Sequence, residues 1–475
     1  MMNPKVDLSI LPSVDSVLGL SEISTLCRYC DLALVTEFVR GAIDEARQLM
    51  LREEITNQAS LMSYVLSSVM SRIEETLSPQ YRRVVNGTGI VLHTNMGRAP
   101  LPQTAVDQIS ALAGRYGNLE LDLKSGQRGS RIDLVEDLLC RLTSAEAAAI
   151  VNNNAAAVLI CLNTLASDRD ALVSRGELIE IGGSFRIPDI MDRSGAEMVE
   201  VGTTNRTHLR DFESAITDKT GVMLVVHPSN YKVLGFTADV GIRDLAGLGA
   251  KHSIPVIHDL GGGVLIDMER FGLPHEPLVS ESVAAGADVV TFSGDKVLGG
   301  PQAGVIVGKR EPIEAIRQNP LMRALRCGKL TYAALEATLK LFLNPDRILE
   351  THPTLRMFTE SVDVLTHRGN SILNSLSDLP GKGLVVRVGE SVAQAGSGTL
   401  PLEELESVAL VIASENPSVT ELARRLRQCE PAIVGYIKDD QLYLDLRTVY
   451  KDELGLLAAG IRSALAGCNQ DNSPR

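Results

Sequence analysis

The sequence lacks the features of a membrane or secreted protein. None of its apolar runs reaches the roughly 20 residues needed to cross a bilayer. Its first residues, MMNPKVDLSI, lack the basic and then apolar pattern of a signal peptide. With 44% hydrophobic and 22% charged residues in 475, the composition is that of a globular chain. We therefore expect a cytoplasmic protein with a large core.

Cysteine is scarce and scattered. The seven cysteines are odd in number and scattered along the chain, so they do not suggest a disulfide framework. Cys27 and Cys30 form a C-x-x-C, but no second pair or nearby histidine cluster completes a zinc site. We predict that these two cysteines are ordinary residues of a helix.

The sequence contains neither G-x-G-x-x-G nor G-x-x-x-x-G-K-[ST], which disfavours dinucleotide and P-loop nucleotide binding. Positive charge is also in deficit, with a net charge of −13. Residues 1–85 follow the same balance, with eight Lys or Arg against eleven Asp or Glu. Generic nucleic-acid binding relies on basic residues, so an RNA partner would need local arginines and recognition by shape.

Three segments differ in their hydrophobic pattern. Residues 1–80 have apolar residues at helical spacing and predict a small helical domain. Residues 81–330 alternate short, wholly apolar runs with helical segments, which is typical of an α/β domain with a mostly parallel sheet. Residues 331–475 begin with a long helix and predict a smaller α+β domain.

The individual elements follow from the same patterns. The strands predicted in the α/β domain are 147–153, 171–176, 197–202, 221–229, 254–260, 288–294 and 304–310. The helices predicted there are 155–166, 211–220 and 242–253. Elsewhere the predicted helices are 21–54, 57–77, 330–343 and 452–465, and the predicted strands are 383–389 and 441–447.

Polar side chains follow three of these predicted strands. VIHDLGGG ends in Asp259, and DVVTFSGDK ends in Ser293, Asp295 and Lys296. The run AIVNNNAAAV passes from a strand through three asparagines into a helix. Because ligands of open α/β sheets bind beyond the carboxyl ends of the strands, these groups predict a ligand site.

The groups match the needs of pyridoxal 5'-phosphate (PLP). This cofactor requires a lysine for a Schiff base and an acid that pairs with its ring nitrogen; Lys296 and Asp259 meet both needs. Its phosphate requires N–H donors, best supplied at a helix N-terminus, and the turn 152–157 offers them. The residues predicted to bind the cofactor are Lys296, Asp259, Ser293, Asn153, Asn154 and Ala155.

Each signal also has an ordinary structural explanation. Asp259 could end a strand, Lys296 could lie at the surface near a turn, and the asparagines of 152–154 could form a helix N-cap and nothing more. Their order along the chain and their shared placement at strand ends favour the cofactor site.

Three arginines are candidates for binding an anionic substrate. Arg98 lies in HTNMGRAPL, and Arg323 and Arg326 lie in NPLMRALRCGKL, three positions apart, where we expect them to share a helix face. Arginine clusters bind phosphate-like groups by bidentate contacts. A solvated helix face is the alternative.

Several of these motifs carry a resemblance to a known family. The stretches are VVNGTGIVLHTNMGRAPL, VNNNAAAV, GELIEIGGSFRIPDIM, FSGDKVLGGPQAGVIVG and RALRCGKLTYAALEATL. Together they resemble the bacterial selenocysteine synthases, the L-seryl-tRNA(Sec) selenium transferases. The resemblance runs from LPSVDSVL to the C-terminal segment and is therefore nearly full-length.

The resemblance implies a fold-type I PLP enzyme that converts L-seryl-tRNA(Sec) to L-selenocysteinyl-tRNA(Sec) with selenophosphate, through an aminoacrylyl-tRNA held on the cofactor. It implies a ring of five dimers whose N-terminal domain grips the tRNA. It also assigns roles: Lys296 is the Schiff-base lysine, Asp295 is catalytic, and Arg98, Arg323 and Arg326 hold the selenium donor. His258 departs from the family pattern, which has an acidic residue there.

Two other functions stay open. A PLP-dependent lyase or transaminase for a free amino acid would share the fold and Lys296, but it would not need the N-terminal helical domain. A non-catalytic RNA-binding or scaffold protein would not need Lys296. Absorbance of the cofactor on this lysine would separate the scaffold from both enzymes.

Overall fold

The computed structural model describes residues 8–26, 29–181, 185–231, 233–379 and 383–466. The chain folds as two units, Met1–Arg83 and Val84–Arg475. Within the described ranges, none of the helices combines the length and the apolar character that a bilayer crossing requires.

The first unit is helical because its apolar residues recur at every third or fourth position. Its helices are α1 (Val14–Leu18), α2 (Ser21–Leu26), α3 (Leu32–Leu51) and α4 (Gln58–Leu77). Asn57 caps α4, since its side chain accepts a hydrogen bond from the backbone N–H of Ser60 at 2.9 Å. The buried faces of α3 and α4 form one core with residues of α1 and α2.

Two predicted helices were too long. The segment predicted as one helix over 21–54 is divided into α2 and α3, because Asp31 is extended at ψ 141°. Cys30 is buried before α3 rather than inside a helix, and its partner Cys27 lies outside the described residues. The helix predicted over 211–220 ends at Ala215, because Ile216 is extended at ψ 129° and a strand follows.

The second unit contains all the strands of the described chain. They are β1 (Val84–Asn86), β2 (Ala147–Val151), β3 (Asp170–Ser174), β4 (Glu180–Ile181), β5 (Phe185–Arg186), β6 (Glu197–Val201), β7 (Thr220–Val226), β8 (Val256–Gly261), β9 (Val289–Ser293), β10 (Gly304–Gly308), β11 (Leu384–Gly396), β12 (Thr399–Ser414), β13 (Ala432–Val434), β14 (Tyr436–Lys438) and β15 (Gln441–Asp445).

The α-helices of the second unit flank these strands and follow them in the chain. They are α5 (Gln103–Ala113), α6 (Glu136–Thr143), α7 (Asn154–Ala166), α8 (Ile187–Ser194), α9 (Leu209–Ala215), α10 (Ile242–His252), α11 (Val279–Ala284), α12 (Arg310–Gln318), α13 (Leu321–Leu325), α14 (Lys329–Leu341), α15 (Ile348–Thr351), α16 (Pro353–Thr359), α17 (Val362–Ser375), α18 (Val419–Arg427) and α19 (Leu454–Ala466).

A mostly parallel sheet forms the centre of this unit, as the sequence predicts. Among the described residues it has seven strands in the order β2-β10-β9-β8-β7-β3-β6. β10 runs antiparallel to both of its neighbours, and the other pairs are parallel. Alternate residues of β2 belong to two different hydrophobic clusters, so both faces of the sheet are covered.

A second sheet lies in the C-terminal part of the unit. Its strands β11-β12-β15-β14 are antiparallel, and β1 pairs with β13 outside it. The strands predicted over 383–389 and 441–447 correspond to β11 and β15. The long β12 was not predicted; it pairs with β11 across a turn in which Gly396 and Gly398 have φ of 81° and 70°.

Candidate active site

The carboxyl ends of β8 and β9 lie side by side, because the two strands are parallel neighbours with Asp259 paired to Thr291. A cavity of about 230 Å³ opens at this edge. Eight of the ten predicted site residues line it: Arg98, Asn153, Asn154, Ala155, Asp259, Ser293, Asp295 and Lys296. Residues that lie far apart in the sequence therefore meet at one edge of the sheet, as their places at strand ends predict.

Lys296 lies in a buried turn between β9 and β10. Two backbone hydrogen bonds of 2.8 Å close the turn, from Gly294 N–H to Ala303 O and from Gly300 N–H to Gly294 O. The side chain is almost wholly buried, and this desolvation lowers the pKa of Lys296. The carboxylate of Asp259 opposes the shift but does not reverse it. Lys296 is therefore more readily deprotonated than a surface lysine.

Asp259 is held in one orientation. Its Oδ1 accepts hydrogen bonds from Asn154 Nδ2 at 2.7 Å and from Thr291 Oγ1 at 3.0 Å. Burial raises the pKa of Asp259, whereas these two bonds and the charge of Lys296 lower it. The carboxyl group is thus fixed in the same buried cavity as the lysine.

The N-terminus of α7 forms a further wall of the cavity. Asn153 is its cap, with Oδ1 accepting from the N–H of Ala156 at 2.9 Å. The first N–H groups of a helix have no partner within the helix and attract anions. Asn154 Oδ1 is buried and has no hydrogen-bond partner among the described residues. This wall can therefore hold an anionic group together with a polar donor.

Arg98 and Asp295 connect the cavity to a larger one. Arg98 Nη1 lies 2.8 Å from Asp295 Oδ2 in an ion pair whose aspartate is 9% exposed. Both residues, with Gln302, also line a neighbouring cavity of about 550 Å³. A substrate in the larger cavity would meet this pair on its way to Lys296.

Arg323 and Arg326 do not share a helix face, so that prediction was wrong. α13 ends at Leu325, and Arg326 is extended at ψ 145°. Arg326 Nη1 lies 3.8 Å from Glu120 Oε1 and the side chain is exposed. Neither arginine lines the Lys296 cavity. Their segment nevertheless lies beside it, since Asn152 N–H donates to Leu325 O at 2.9 Å.

Other residues of the cavity were not singled out from the sequence. His227 and Ser229 follow β7, and Gln302 precedes β10. The sequence did carry a signal for His227 and Ser229, because HPS stands at the end of the predicted strand 221–229.

His258 points away from this cavity: its Nδ1 lies 3.0 Å from Ser282 Oγ, and burial lowers its pKa to about 3. His258 is therefore not among the residues that line this cavity.

Comparison with known proteins assigns the chain to a family. A family model described as SelA, L-seryl-tRNA selenium transferase, matches residues 84–450. The chain belongs to this family. A relative named L-seryl-tRNA(Sec) selenium transferase in Alkaliphilus metalliredigens is 44% identical over 468 residues, covering 97% of this chain and 99% of the relative. The protein of that name in Maridesulfovibrio salexigens is 47% identical over 457 residues, covering 96% and 98%.

The matches to these members of the selenium transferase family span nearly the whole chain and therefore include most of residues 1–83. Among solved structures, a D-glucosaminate-6-phosphate ammonia-lyase has a TM-score of 0.55 at 19% identity, covering 84% of this chain and 99% of its own. That similarity concerns the fold. The α/β fold class expected from the sequence is confirmed.

Proposed function

We propose that the protein converts L-seryl-tRNA(Sec) to L-selenocysteinyl-tRNA(Sec), with selenophosphate as selenium donor and PLP as cofactor. Family membership supports the reaction. The observation that carries the proposal is the buried pair of Lys296 and Asp259, which line one cavity at the N-terminus of α7. These are the groups that a PLP site requires.

The residues of the cavity fit PLP. Lys296 offers a desolvated amine for the carbonyl of the cofactor, and Asp259 offers a fixed carboxylate for the ring nitrogen. The first N–H groups of α7 offer donors for the phosphate, and Ser293 adds a buried hydroxyl to the same cavity. Bound PLP supplies an electron sink that stabilises negative charge at the α-carbon of the substrate.

Lys296 would then serve as the base of the reaction. Its lowered pKa increases the fraction of neutral amine near neutral pH, and a neutral amine can accept the α-proton of the seryl group at Nζ. The buried turn keeps Nζ at the cavity and leaves little of the lysine side chain exposed to solvent. Asp259 retains its charge most readily while its hydrogen bonds from Asn154 and Thr291 are intact.

Asp295 and Arg98 would act on the other side of the seryl group. We propose that Asp295 accepts the proton taken up at Lys296 Nζ and passes it to the oxygen of the leaving hydroxyl. We propose that Arg98 binds the phosphate of the selenium donor while it orients Asp295. Arg323 and Arg326 are proposed to bind the same donor. Because they do not line the cavity of their own chain, we propose that they act at the site of a neighbouring copy of the protein.

A homo-oligomer, with the decamer implied by the resemblance, is therefore part of the proposal. Exposed apolar side chains of the second unit support contacts between copies; they include Tyr116, Leu123, Leu234 and Phe236. We propose that the unit of residues 1–83 binds the tRNA, since the chemistry at Lys296 needs no such unit. We propose a cytoplasmic location, where aminoacyl-tRNA is made and used.

Turnover of purified protein with seryl-tRNA(Sec) and selenophosphate tests the proposal. Ordinary seryl-tRNA and free serine run in parallel, and Lys296→Ala serves as the inactive control. Selenocysteinyl-tRNA formed from the cognate tRNA alone, and lost in the variant, is the expected result. PLP-dependent consumption of free serine without reaction of the tRNA would instead establish a lyase for free amino acids.

A further inference from the structure

We propose that His227, which lies beside Glu276, accepts the proton that the Lys296 ammonium must lose before its amine can react. The inference rests on the proposed function in one respect, that Lys296 is the reactive amine. His227 directly follows β7, and its backbone N–H donates to the carbonyl of Asp259 at 2.9 Å. This bond fixes His227 to the strand that carries the other buried charge of the site.

The imidazole lies between the cavity and a carboxylate. The His227 side chain lines the cavity and is 25% exposed, and its Nε2 lies 3.9 Å from Glu276 Oε2. Glu276 is 16% exposed, and its Oε1 accepts a hydrogen bond from the backbone N–H of Leu400 at 3.3 Å. Burial raises the pKa of Glu276. While it is ionised, a carboxylate at this distance favours the imidazolium form of His227.

Lys296 acts on His227 in the opposite direction. Burial, and after it the charge of Lys296, holds the pKa of His227 below its usual value of 6.5. Two cations in one desolvated cavity repel each other, so His227 is more readily neutral while Lys296 keeps its proton. The repulsion is mutual, so the pKa of His227 rises once Lys296 has lost its proton.

The transfer balances without a co-reactant. Lys296 Nζ gives one proton to the imidazole of His227, directly or through one water, and no electron changes place. The amine is left with its lone pair and the imidazole becomes imidazolium. The charge that leaves Lys296 thus moves toward Glu276 rather than into bulk water.

The other titratable groups around His227 are less suited to this role. His258, on the adjacent strand, has a pKa of about 3 because it is buried. Glu177 bonds to the N–H of Val226 at 2.8 Å, and burial raises its pKa to about 8, so it is largely protonated near neutral pH. Asp259 Oδ1 already accepts two hydrogen bonds, and its carboxylate is the group proposed to pair with the ring nitrogen of the cofactor.

The test is the rate at which the full-length protein, freed of cofactor, captures added PLP, followed by absorbance as a function of pH. The wild-type rate should fall as the pH drops through the titration of His227, below 6.5. His227→Gln should lose this inflection and capture PLP about 100-fold more slowly near neutral pH, a usual contribution of a general base. Glu276→Gln should keep the inflection but move it to lower pH, since an amide does not favour imidazolium.

His252→Asn, at the exposed last turn of α10, is the matched control and should keep the wild-type profile. A wild-type profile in both His227→Gln and Glu276→Gln would overturn the proposal, and so would a slower His227→Gln that keeps the inflection. Circular dichroism checks each fold; if His227→Gln does not fold, the shift in Glu276→Gln decides. If the wild-type protein shows the inflection but makes no selenocysteinyl-tRNA, the proposed function is contradicted and the role of His227 is not.

Discussion

Arg98 and Asp295 form an ion pair at the mouth of the candidate site, with Nη1 2.8 Å from Oδ2. Arg98 does so from a left-handed backbone conformation, with φ of 62°, directly after Gly97 at 91°. Such a conformation costs of order 1–3 kcal/mol for a residue with a Cβ atom and clusters at functional sites. The pair also joins two sequence motifs, HTNMGRAPL and FSGDK, whose proposed roles therefore depend on each other.

Asp295→Asn should lower turnover of seryl-tRNA(Sec) by about 100-fold or more, because an amide cannot pass a proton to the leaving hydroxyl. PLP binding should change little, since Lys296 and Asp259 remain. Single-turnover kinetics and cofactor absorbance measure the two effects separately. Full turnover in Asp295→Asn would remove this residue from the chemistry.

Arg98→Ala should also reduce turnover, in part by releasing the carboxylate of Asp295. If Arg98 acts mainly through that carboxylate, the double variant should be little worse than Asp295→Asn alone. If it acts mainly on the selenium donor, the two effects should multiply. Raising the selenophosphate concentration should rescue Arg98→Ala only in the second case.

Lys296→Ala should abolish both the absorbance of bound PLP and turnover, because the variant has no amine in the cavity. Lys340→Ala is a suitable control, since Lys340 is exposed on α14 and pairs with Glu336 at 2.5 Å. The control should keep cofactor and activity. A PLP spectrum retained in Lys296→Ala would show that another lysine carries the cofactor.

Gly304→Ala should damage the sheet and the site together. An added Cβ at Gly304 would overlap the carbonyl oxygen of Asn153, directly before α7. Overpacking of this kind typically costs about 1–3 kcal/mol, and here it would also move the N-terminus of α7. The urea concentration at the midpoint of unfolding and the affinity for PLP should both fall. Gly247→Ala, on an open face of α10 with no atom within 4 Å of the added Cβ, should be neutral or stabilising.

Glu177→Gln should change how stability depends on pH. Burial raises the pKa of Glu177 from 4.5 to about 8, so the native state binds a proton that the unfolded state has lost between these values. The contribution of this proton to the free energy of unfolding is complete below pH 4.5. It declines by up to about 1.4 kcal/mol per pH unit as the pH rises to 8.

The variant lacks this decline but keeps an acceptor for the N–H of Val226. Relative to the wild type it should therefore gain stability as the pH rises from 5 to 8. Urea unfolding at both ends of that range gives the difference. A constant difference between Glu177→Gln and the wild type would show that Glu177 has an ordinary pKa.

The sequence was sufficient to place most of the candidate site. Asp259 and Lys296 follow runs that are apolar on both faces, and parallel strands carry their carboxyl ends to one edge of the sheet. The asparagines of 152–154 stand where a strand gives way to a helix, which is the geometry of an anion site. Each of these signals is a short stretch of sequence. The stretches meet because parallel strands of one sheet end at the same edge.

Other features depend on contacts that local patterns do not contain. A spacing of three residues between Arg323 and Arg326 cannot reveal that α13 ends between them, with Leu325 held by the N–H of Asn152. The strand β12 is specified by its pairing with β11 across a glycine turn. Glu276 lies 49 positions after His227 in the chain, and only the folded structure brings the two side chains together.

The turn that carries Lys296 is part of the buried core around the central sheet of the second unit. Residues 289–300 are buried throughout, and the strands on either side of the turn, β9 and β10, pair with each other inside the sheet. A loop anchored in this way cannot loosen while the sheet around it stays intact. Heat or urea should then remove activity and sheet in one transition, and the specific activity of a preparation would be a direct reading of its folded fraction.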